Sequence, residues 1–185
     1  MSDPLTSSTL SYAAYAEIPA DGQRWEFLDG EVFVTPAPSL AHQFTVLRLG
    51  LFFDAHAAHF GPGIVAFVAP VDVILSDSEI VEPDVVVARR AQFSKRGIEG
   101  APLLLVEVVS PTRPALDREI KWRRYAAHGV EHYWIVDPVA RTAEIWRLKD
   151  GRYELTAAAD ATAVVELPGL SGLRLDLGRL WLPDA

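Results

Sequence analysis

Short apolar blocks rich in β-branched and aromatic residues alternate with helical patterns along this chain, which is typical of a mixed α/β fold. Residues 24–28 and 31–34 flank Asp29-Gly30, a dipeptide that strongly favours a two-residue hairpin turn. The same criteria predict a second hairpin across Lys149-Asp150-Gly151. The remaining predicted strands are 64–68, 71–75, 85–88, 103–109, 132–137, 164–167 and 173–177.

Three helices are predicted from apolar positions at helical spacing and from their end signals, at 7–18, 39–60 and 110–128. Ser39 is the N-cap candidate of the second helix, and Gly129 ends the third. The third helix connects the strands at 103–109 and 132–137, so these strands should be parallel and joined by a right-handed crossover. We therefore expect one domain over residues 1–185, with a mixed β-sheet flanked by helices and an antiparallel hairpin at either end.

Composition narrows the possible functions. The chain has 185 residues, half of them hydrophobic, which is enough for one substantial core. It has no cysteine, so a bound metal ion would have oxygen or histidine ligands, and a reducing compartment is consistent. The N-terminus lacks a basic start and an apolar run, and no apolar stretch is long enough to span a bilayer. We expect a cytoplasmic protein that is not inserted in a membrane.

The formal net charge of −8 argues against a surface that binds polyanions generically, since nonspecific affinity for nucleic acids comes from lysine and arginine. The basic residues nevertheless cluster after two acid-bearing strands. They form either a positive rim around an acidic centre or ordinary solvated faces. The clustered residues are Arg89, Arg90, Lys95, Arg96, Arg113, Arg118, Lys121, Arg123 and Arg124.

Two acids stand where a structural strand would carry apolar residues. Asp84 precedes a β-branched run, and Glu107 interrupts an apolar strand whose two faces are otherwise both hydrophobic. Side chains alternate along a strand, so Glu107 shares its face with Leu105 and Val109. An ionised carboxylate there is costly unless it is paired, hydrogen-bonded or bound to a cation.

One explanation is a Mg²⁺ site, since this ion takes one or two protein carboxylates together with water and phosphate oxygens. Asp84 and Glu107 would bind the metal, with the carbonyl of Val108 as a neutral ligand. Lys121, on the following helix, would orient or deprotonate the attacking water and stabilise charge growing on phosphorus. The alternatives are structural. Lys121 would instead pair with Asp117 one helical turn away, and the two acids would form a buried salt bridge with Arg113 or Arg118.

The residues at these positions resemble the PD-(D/E)XK nuclease superfamily, through Pro83-Asp84 followed by Glu107-Val108-Val109. More narrowly, the chain is similar over residues 10 to 180 to the small bacterial restriction-endonuclease-like group often called Uma-two. The ordered motifs that carry this similarity are Glu26-Phe27-Leu28-Asp29-Gly30-Glu31, Pro36-Ala37-Pro38-Ser39 with His42, Glu107-Val108-Val109-Ser110-Pro111-Thr112-Arg113, Asp117-Arg118 with Lys121 and Tyr125, and 129–138.

The resemblance implies a restriction-endonuclease-like fold and a Mg²⁺-dependent phosphodiesterase that acts on DNA, with Mn²⁺ as a substitute ion. It implies that Asp84 and Glu107 are metal ligands and that Glu31 is an additional acid near a second metal or its water. The chain departs from the superfamily pattern at Val109, where the signature lysine would stand. In the narrower group the following helix supplies that lysine, which matches Lys121.

Two other functions use the same residues differently. A catalytically inactive module for binding nucleic acid or protein would fit the negative charge and the few lysines. Glycoside hydrolysis would use two carboxylates but leaves Lys121 without a role. We expect a homodimer, the commonest assembly, and Trp146 and Trp181 in the tail would either cover the core or form its interface.

Overall fold

The computed structural model describes residues 11–18, 23–35, 37–110, 116–167 and 172–183. Its helices are α1 (Tyr12–Ala16), α2 (Leu40–Ala55) and α3 (Trp122–His128). A π-helix over Leu116–Lys121 leads directly into α3. Short 3-10 turns occupy Ala57–Phe60, Arg90–Gln92 and Leu177–Arg179.

Thirteen strands are found in the described residues. They are β1 (Arg24–Leu28), β2 (Glu31–Thr35), β3 (Ile64–Val68), β4 (Val73–Ser76), β5 (Glu79–Val81), β6 (Val85–Arg89), β7 (Ile98–Glu99), β8 (Leu104–Val108), β9 (His132–Asp137), β10 (Thr142–Lys149), β11 (Arg152–Asp160), β12 (Val164–Glu166) and β13 (Arg174–Asp176).

The central sheet has six strands in the order β11-β10-β9-β8-β6-β3. Its only parallel pair is β8 with β9, which are joined through α3 as the sequence predicted. A second sheet has the order β2-β1-β5-β4-β7, and β12 pairs with β13. The fold class predicted from the sequence, a mixed β-sheet flanked by helices with a hairpin at either end, is confirmed.

The first hairpin places β1 against the rest of the second sheet. Asp29 and Gly30 both have positive φ, 53° and 78°, which is the two-residue turn that their sequence predicts. The hairpin pairs Glu26 with Phe33, and Phe27 pairs with Ile80 of β5. One face of β1, carrying Glu26 and Leu28, is therefore held against the interior of the protein.

Each face of the central sheet is covered by a different layer. On one face, Val106 and Val108 pack with Phe53 of α2 and with the C-terminal tail, including Trp181. On the other face, Leu105 and Val109 pack with the second sheet and with Tyr125 of α3. Glu107 has its side chain on this second face, which is the side of β8 that the sequence pattern assigned to it.

The observed elements differ from the predicted ones mainly at their ends. The helix from Ser39 stops at Ala55 and continues only as a 3-10 turn, and β4 lies at 73–76 instead of 71–75. β5 was not predicted, because its three residues directly follow a turn-rich segment. Residues 7–10 and 111–115, the predicted starts of the first and third helices, lie outside the described residues.

The tail tryptophans cover the protein itself. Trp181 is 7% exposed and belongs to the core, and Trp146 stacks edge-on against Trp122 at 6.1 Å. These two side chains therefore do not support the predicted dimer interface, and the homodimer stays a prediction. None of the helices in the described ranges is both long and apolar enough to cross a membrane.

Candidate active site

Asp84 and Glu107 lie next to each other across two neighbouring strands. β6 and β8 are antiparallel, with Val85 opposite Val106, and one further step in this register places Asp84 opposite Glu107. Residues directly opposite each other share a face of the sheet and have Cβ atoms about 5 Å apart. Both side chains are buried, at 3% and 2% exposure. The two acids singled out from the sequence therefore form one site.

Three donors bind the Asp84 carboxylate. Arg24 Nη1 lies 2.9 Å from Oδ1, and His42 Nε2 lies 3.3 Å from Oδ2. The backbone amide of Val108 also donates to Oδ2, at 2.8 Å. Burial alone would raise the pKa of Asp84, but the His42 hydrogen bond, the Arg24 charge and the Val108 amide together lower it below its ordinary value. Asp84 is therefore ionised at neutral pH.

Lys121 connects the two sheets at this point. Its Nζ lies 3.0 Å from Glu107 Oε1 and 3.0 Å from Glu26 Oε1, and its side chain is only 3% exposed. Glu26 Oε1 also accepts the amide of Glu82, at 2.9 Å. Lys121 therefore contacts two buried carboxylates, from β1 and β8, while the side chain of Asp117, the partner that the sequence left open, lies outside the described residues.

Tyr125 fixes the orientation of Glu107. Its hydroxyl donates to Glu107 Oε1 at 2.8 Å, and the ring is fully buried. Burial, followed by the charges of Glu107 and Glu26, raises the pKa of Tyr125 well above its usual range. The phenol consequently remains a protonated hydrogen-bond donor and does not act as an acid or base.

Contacts outside the site hold the helix that carries Lys121. Lys121 is the last residue of the π-helix, a rare conformation that is frequent at functional sites. Further along α3, Arg124 and His128 both contact the buried carboxylate of Glu79 on β5. Arg124 also lies 3.7 Å from Asp29 at the hairpin turn. These contacts dock α3 against the second sheet.

A second acidic group borders the site. Glu82 accepts a hydrogen bond from the hydroxyl of Tyr15 at 3.3 Å, and the same hydroxyl donates to Asp72 at 2.8 Å. Burial, assisted by the charges of Asp72 and Glu26, raises the pKa of Glu82, although Arg24 opposes the shift. Folding therefore raises the pKa of Glu82 and lowers the pKa of Asp84, although the two residues are only two positions apart.

The other residues predicted from the sequence have different surroundings. Glu31 is exposed and lies opposite Leu28 at the end of the hairpin, and the acid from that hairpin that reaches Lys121 is Glu26. Val108 contributes its amide to Asp84, and a role for its carbonyl stays a prediction. His42 contacts Asp84 and not the acids of the hairpin.

Sequence reasoning did not assign a functional role to four members of the site, which are Arg24, Glu26, His42 and Tyr125. Glu26 carried a usable signal, because it shares a strand face with Leu28 and so predicts a buried charge. Arg24 and Tyr125 carried no such signal, since their contacts depend on how the second sheet and α3 pack.

Several basic residues of the predicted positive rim are paired with acids. Arg96 pairs with Glu99 at 2.7 Å, and Arg118 pairs with Glu144. Arg123 lies 3.9 Å from Asp29. The sequence had left an arginine of the third helix as a partner for the buried acids, and Arg24 of β1 is the arginine that contacts Asp84.

The donor set suits a hard divalent cation. Within the described ranges no group of three or more histidine, aspartate or glutamate side chains converges on one point. Mg²⁺, however, uses only one or two protein carboxylates and completes its octahedron with water and substrate oxygens. Asp84 and Glu107, adjacent and buried, supply that number of carboxylates.

Comparison with known proteins agrees with this fold. A solved structure described as a putative nuclease belonging to DUF820, from Anabaena variabilis ATCC 29413, superimposes with a TM-score of 0.74. The two chains are 19% identical, and the match covers 93% of this chain and 97% of the other. No curated protein matches the sequence. The family model Uma2, described as "Putative restriction endonuclease", matches residues 12–178, and the chain therefore belongs to the Uma2 family.

Proposed function

We propose that this protein is a Mg²⁺-dependent nuclease that hydrolyses phosphodiester bonds in DNA. One observation carries the proposal: a single buried lysine, Lys121, lies 3.0 Å from Glu107, and the amide of the next residue, Val108, donates to Asp84 at 2.8 Å. Two carboxylates and a cation at one end of adjacent strands form a set that can bind a metal and stabilise a charged phosphorus centre.

Each residue has a distinct role in this proposal. Asp84 and Glu107 would hold the metal, with the carbonyl of Val108 as a further ligand. The bound metal would polarise the phosphoryl oxygen. Lys121 would orient the attacking water and stabilise the charge that grows on the phosphate, while Glu26 holds the ammonium group in place.

Two findings support DNA as the substrate. The family description names restriction endonucleases, and the Anabaena protein is described as a nuclease. The net charge of −8 keeps generic electrostatic affinity low, so binding would depend on local contacts at the site. We include in the proposal a cytoplasmic homodimer, since a two-fold pair presents two sites to the two DNA strands; light scattering of the purified protein tests it.

The decisive experiment is cleavage of supercoiled plasmid and of labelled oligonucleotides with Mg²⁺ or Mn²⁺. We expect Asp84→Asn, Glu107→Gln and Lys121→Met each to lower the cleavage rate at least about a hundredfold, as removal of one stabilising group does in other enzymes. Circular dichroism verifies that each variant is folded. Arg96→Gln, which removes an exposed ion pair, is the control and should cleave at the wild-type rate. Equal cleavage by the wild type and all three site variants would refute the proposal.

A catalytically inactive binding module is the second candidate. The observation that favours it is that internal cations already neutralise the acids, through Arg24 and Lys121. Calorimetry distinguishes the two: a protein that takes up no divalent ion, alone or with DNA, is the module. The Glu31 prediction is tested in the same assays, because Glu31→Gln should weaken cleavage only if that exposed acid supports a metal or its water.

A further inference from the structure

We infer that Arg24 is the resident counter-ion of Asp84, and that a divalent cation binds the site only by displacing its guanidinium group. The inference rests on the proposed function, because it concerns the same carboxylates. Arg24 would compete with the metal ion for Asp84 and would therefore raise the metal concentration at which the site fills.

Donors already contact both carboxylate oxygens of Asp84. Arg24 occupies Oδ1, while His42 and the Val108 amide both occupy Oδ2. The guanidinium is anchored a second time, because its Nη2 also donates to the Glu82 carbonyl. A metal ion on Oδ1 would lie in contact with this guanidinium, and two positive charges in a buried site repel each other strongly enough to favour its departure.

The charge of Arg24 acts on every acid of the proposed metal site. Burial alone would lower the pKa of Arg24, but the charges of Asp84, Glu26 and Glu107, in that order, raise it above its usual range. One arginine therefore compensates much of the negative charge that would otherwise attract a divalent ion. It is a fixed charge at any pH at which the protein is folded, so the competition does not depend on protonation.

Arg24 is held less completely than the other cation of the site. Its Nε is buried without a hydrogen-bond partner among the described residues, and it lies 3.9 Å from Glu82 Oε2. The Arg24 side chain is 17% exposed, whereas that of Lys121 is 3% exposed and contacts two carboxylates at 3.0 Å. Of the two cations, Arg24 is therefore the one with a path toward solvent.

The test is a calorimetric titration of the full chain with Mn²⁺ at constant neutral pH. Arg24→Gln removes the competitor and should tighten the dissociation constant about tenfold to a hundredfold. The same variant should melt at a lower temperature without metal and gain more from saturating Mn²⁺ than the wild type gains, since its Asp84 awaits a cation. Arg96→Gln removes one positive charge from an exposed pair and should leave the dissociation constant unchanged.

Arg24→Lys distinguishes displacement of the guanidinium from simple charge repulsion. It also replaces the glutamine variant in the test if that variant does not fold. Lysine keeps the charge, but its single ammonium cannot reproduce the planar fork that reaches Asp84 and Glu82 together. Displacement predicts severalfold tighter Mn²⁺ binding in this variant, while repulsion alone predicts none. Unchanged or weaker binding in both Arg24 variants overturns the inference but leaves the metal site intact. Absence of Mn²⁺ binding in the wild type and in every variant overturns the metal site, and with it the proposed function.

Discussion

Replacing Lys121 with methionine should destabilise the protein far more than removal of a surface lysine does. The substitution preserves the length of the side chain and removes its charge. Glu107 and Glu26, which are 2% and 1% exposed, then lose the cation that lies 3.0 Å from each of them. Tyr125 and the Glu82 amide still bond these carboxylates, but neither compensates a full charge.

The size of the effect follows from the burial of all three groups. Removing one partner of a buried ion pair costs about 3–5 kcal/mol, because an uncompensated charge is left inside the protein. In a protein of this length each kcal/mol lowers the melting temperature by about 2–4 °C. We therefore expect Lys121→Met to melt about 6–20 °C below the wild type.

Differential scanning calorimetry and urea unfolding measure this difference. The control is Lys149→Met, because Lys149 and its partner Glu154 are 64% and 58% exposed, and such a pair contributes little. Glu107→Gln in the Lys121→Met background should recover part of the loss, since it removes one of the two uncompensated charges. A Lys121→Met protein as stable as the control, or no recovery in the double variant, would refute the electrostatic account of this site.

The other predictions concern the acids of the site and their neighbours. Asp84 has a lowered pKa, so its ionised form stabilises the fold above its unfolded pKa, and this contribution is lost as pH falls through its folded pKa. Asp84→Asn should therefore be less stable than the wild type at neutral pH, and the difference in stability should narrow in acid. Glu82 has a raised pKa, so its ionised form destabilises the fold. Glu82→Gln should therefore be more stable than the wild type above the folded pKa of Glu82, and equally stable below its unfolded pKa. Parallel pH profiles of melting temperature for the Asp84 and Glu82 variants would contradict both assignments. Tyr125→Phe keeps the buried ring but removes the hydroxyl bonded to Glu107. Its free energy of unfolding in urea should fall by about 1.5–3 kcal/mol, and its cleavage rate should be lower than that of the wild type. A phenylalanine variant that matches the wild type in both assays would show that the ring only packs.

The strand pattern predicted much of the central layer because its periodicity is local. Alternation along β8 placed Glu107 on the correct face, and the order of strand, helix and strand predicted the parallel pairing with β9. The hairpin at Asp29-Gly30 was equally accessible, since its turn chemistry lies within two residues. These features depend on neighbours along the chain and not on distant ones.

The partners of the acids could not be predicted in the same way. Arg24 precedes Asp84 by sixty positions and contacts it only because β1 joins β5 in a second sheet. β5 itself is three residues long, too short for its alternation to be recognised. Sequence reasoning therefore found which carboxylates needed compensation, while the packing of the second sheet determines which cations provide it.

The packing of Val109 fits an apolar residue at the position where the resemblance to the PD-(D/E)XK pattern would place a lysine. Val109 is 4% exposed and packs in the apolar cluster between the two sheets, on the same face as Glu107. A lysine there would have to bury its stem in that cluster, whereas Lys121 reaches Glu107 from a helix at the edge of the cluster. The geometry of the lysine then depends on how α3 is docked, which involves the contacts of Arg124 and His128 with Glu79. Residues outside the site thus hold its charged group in place, and a site built in this way is sensitive to changes on β5 that touch none of the acids.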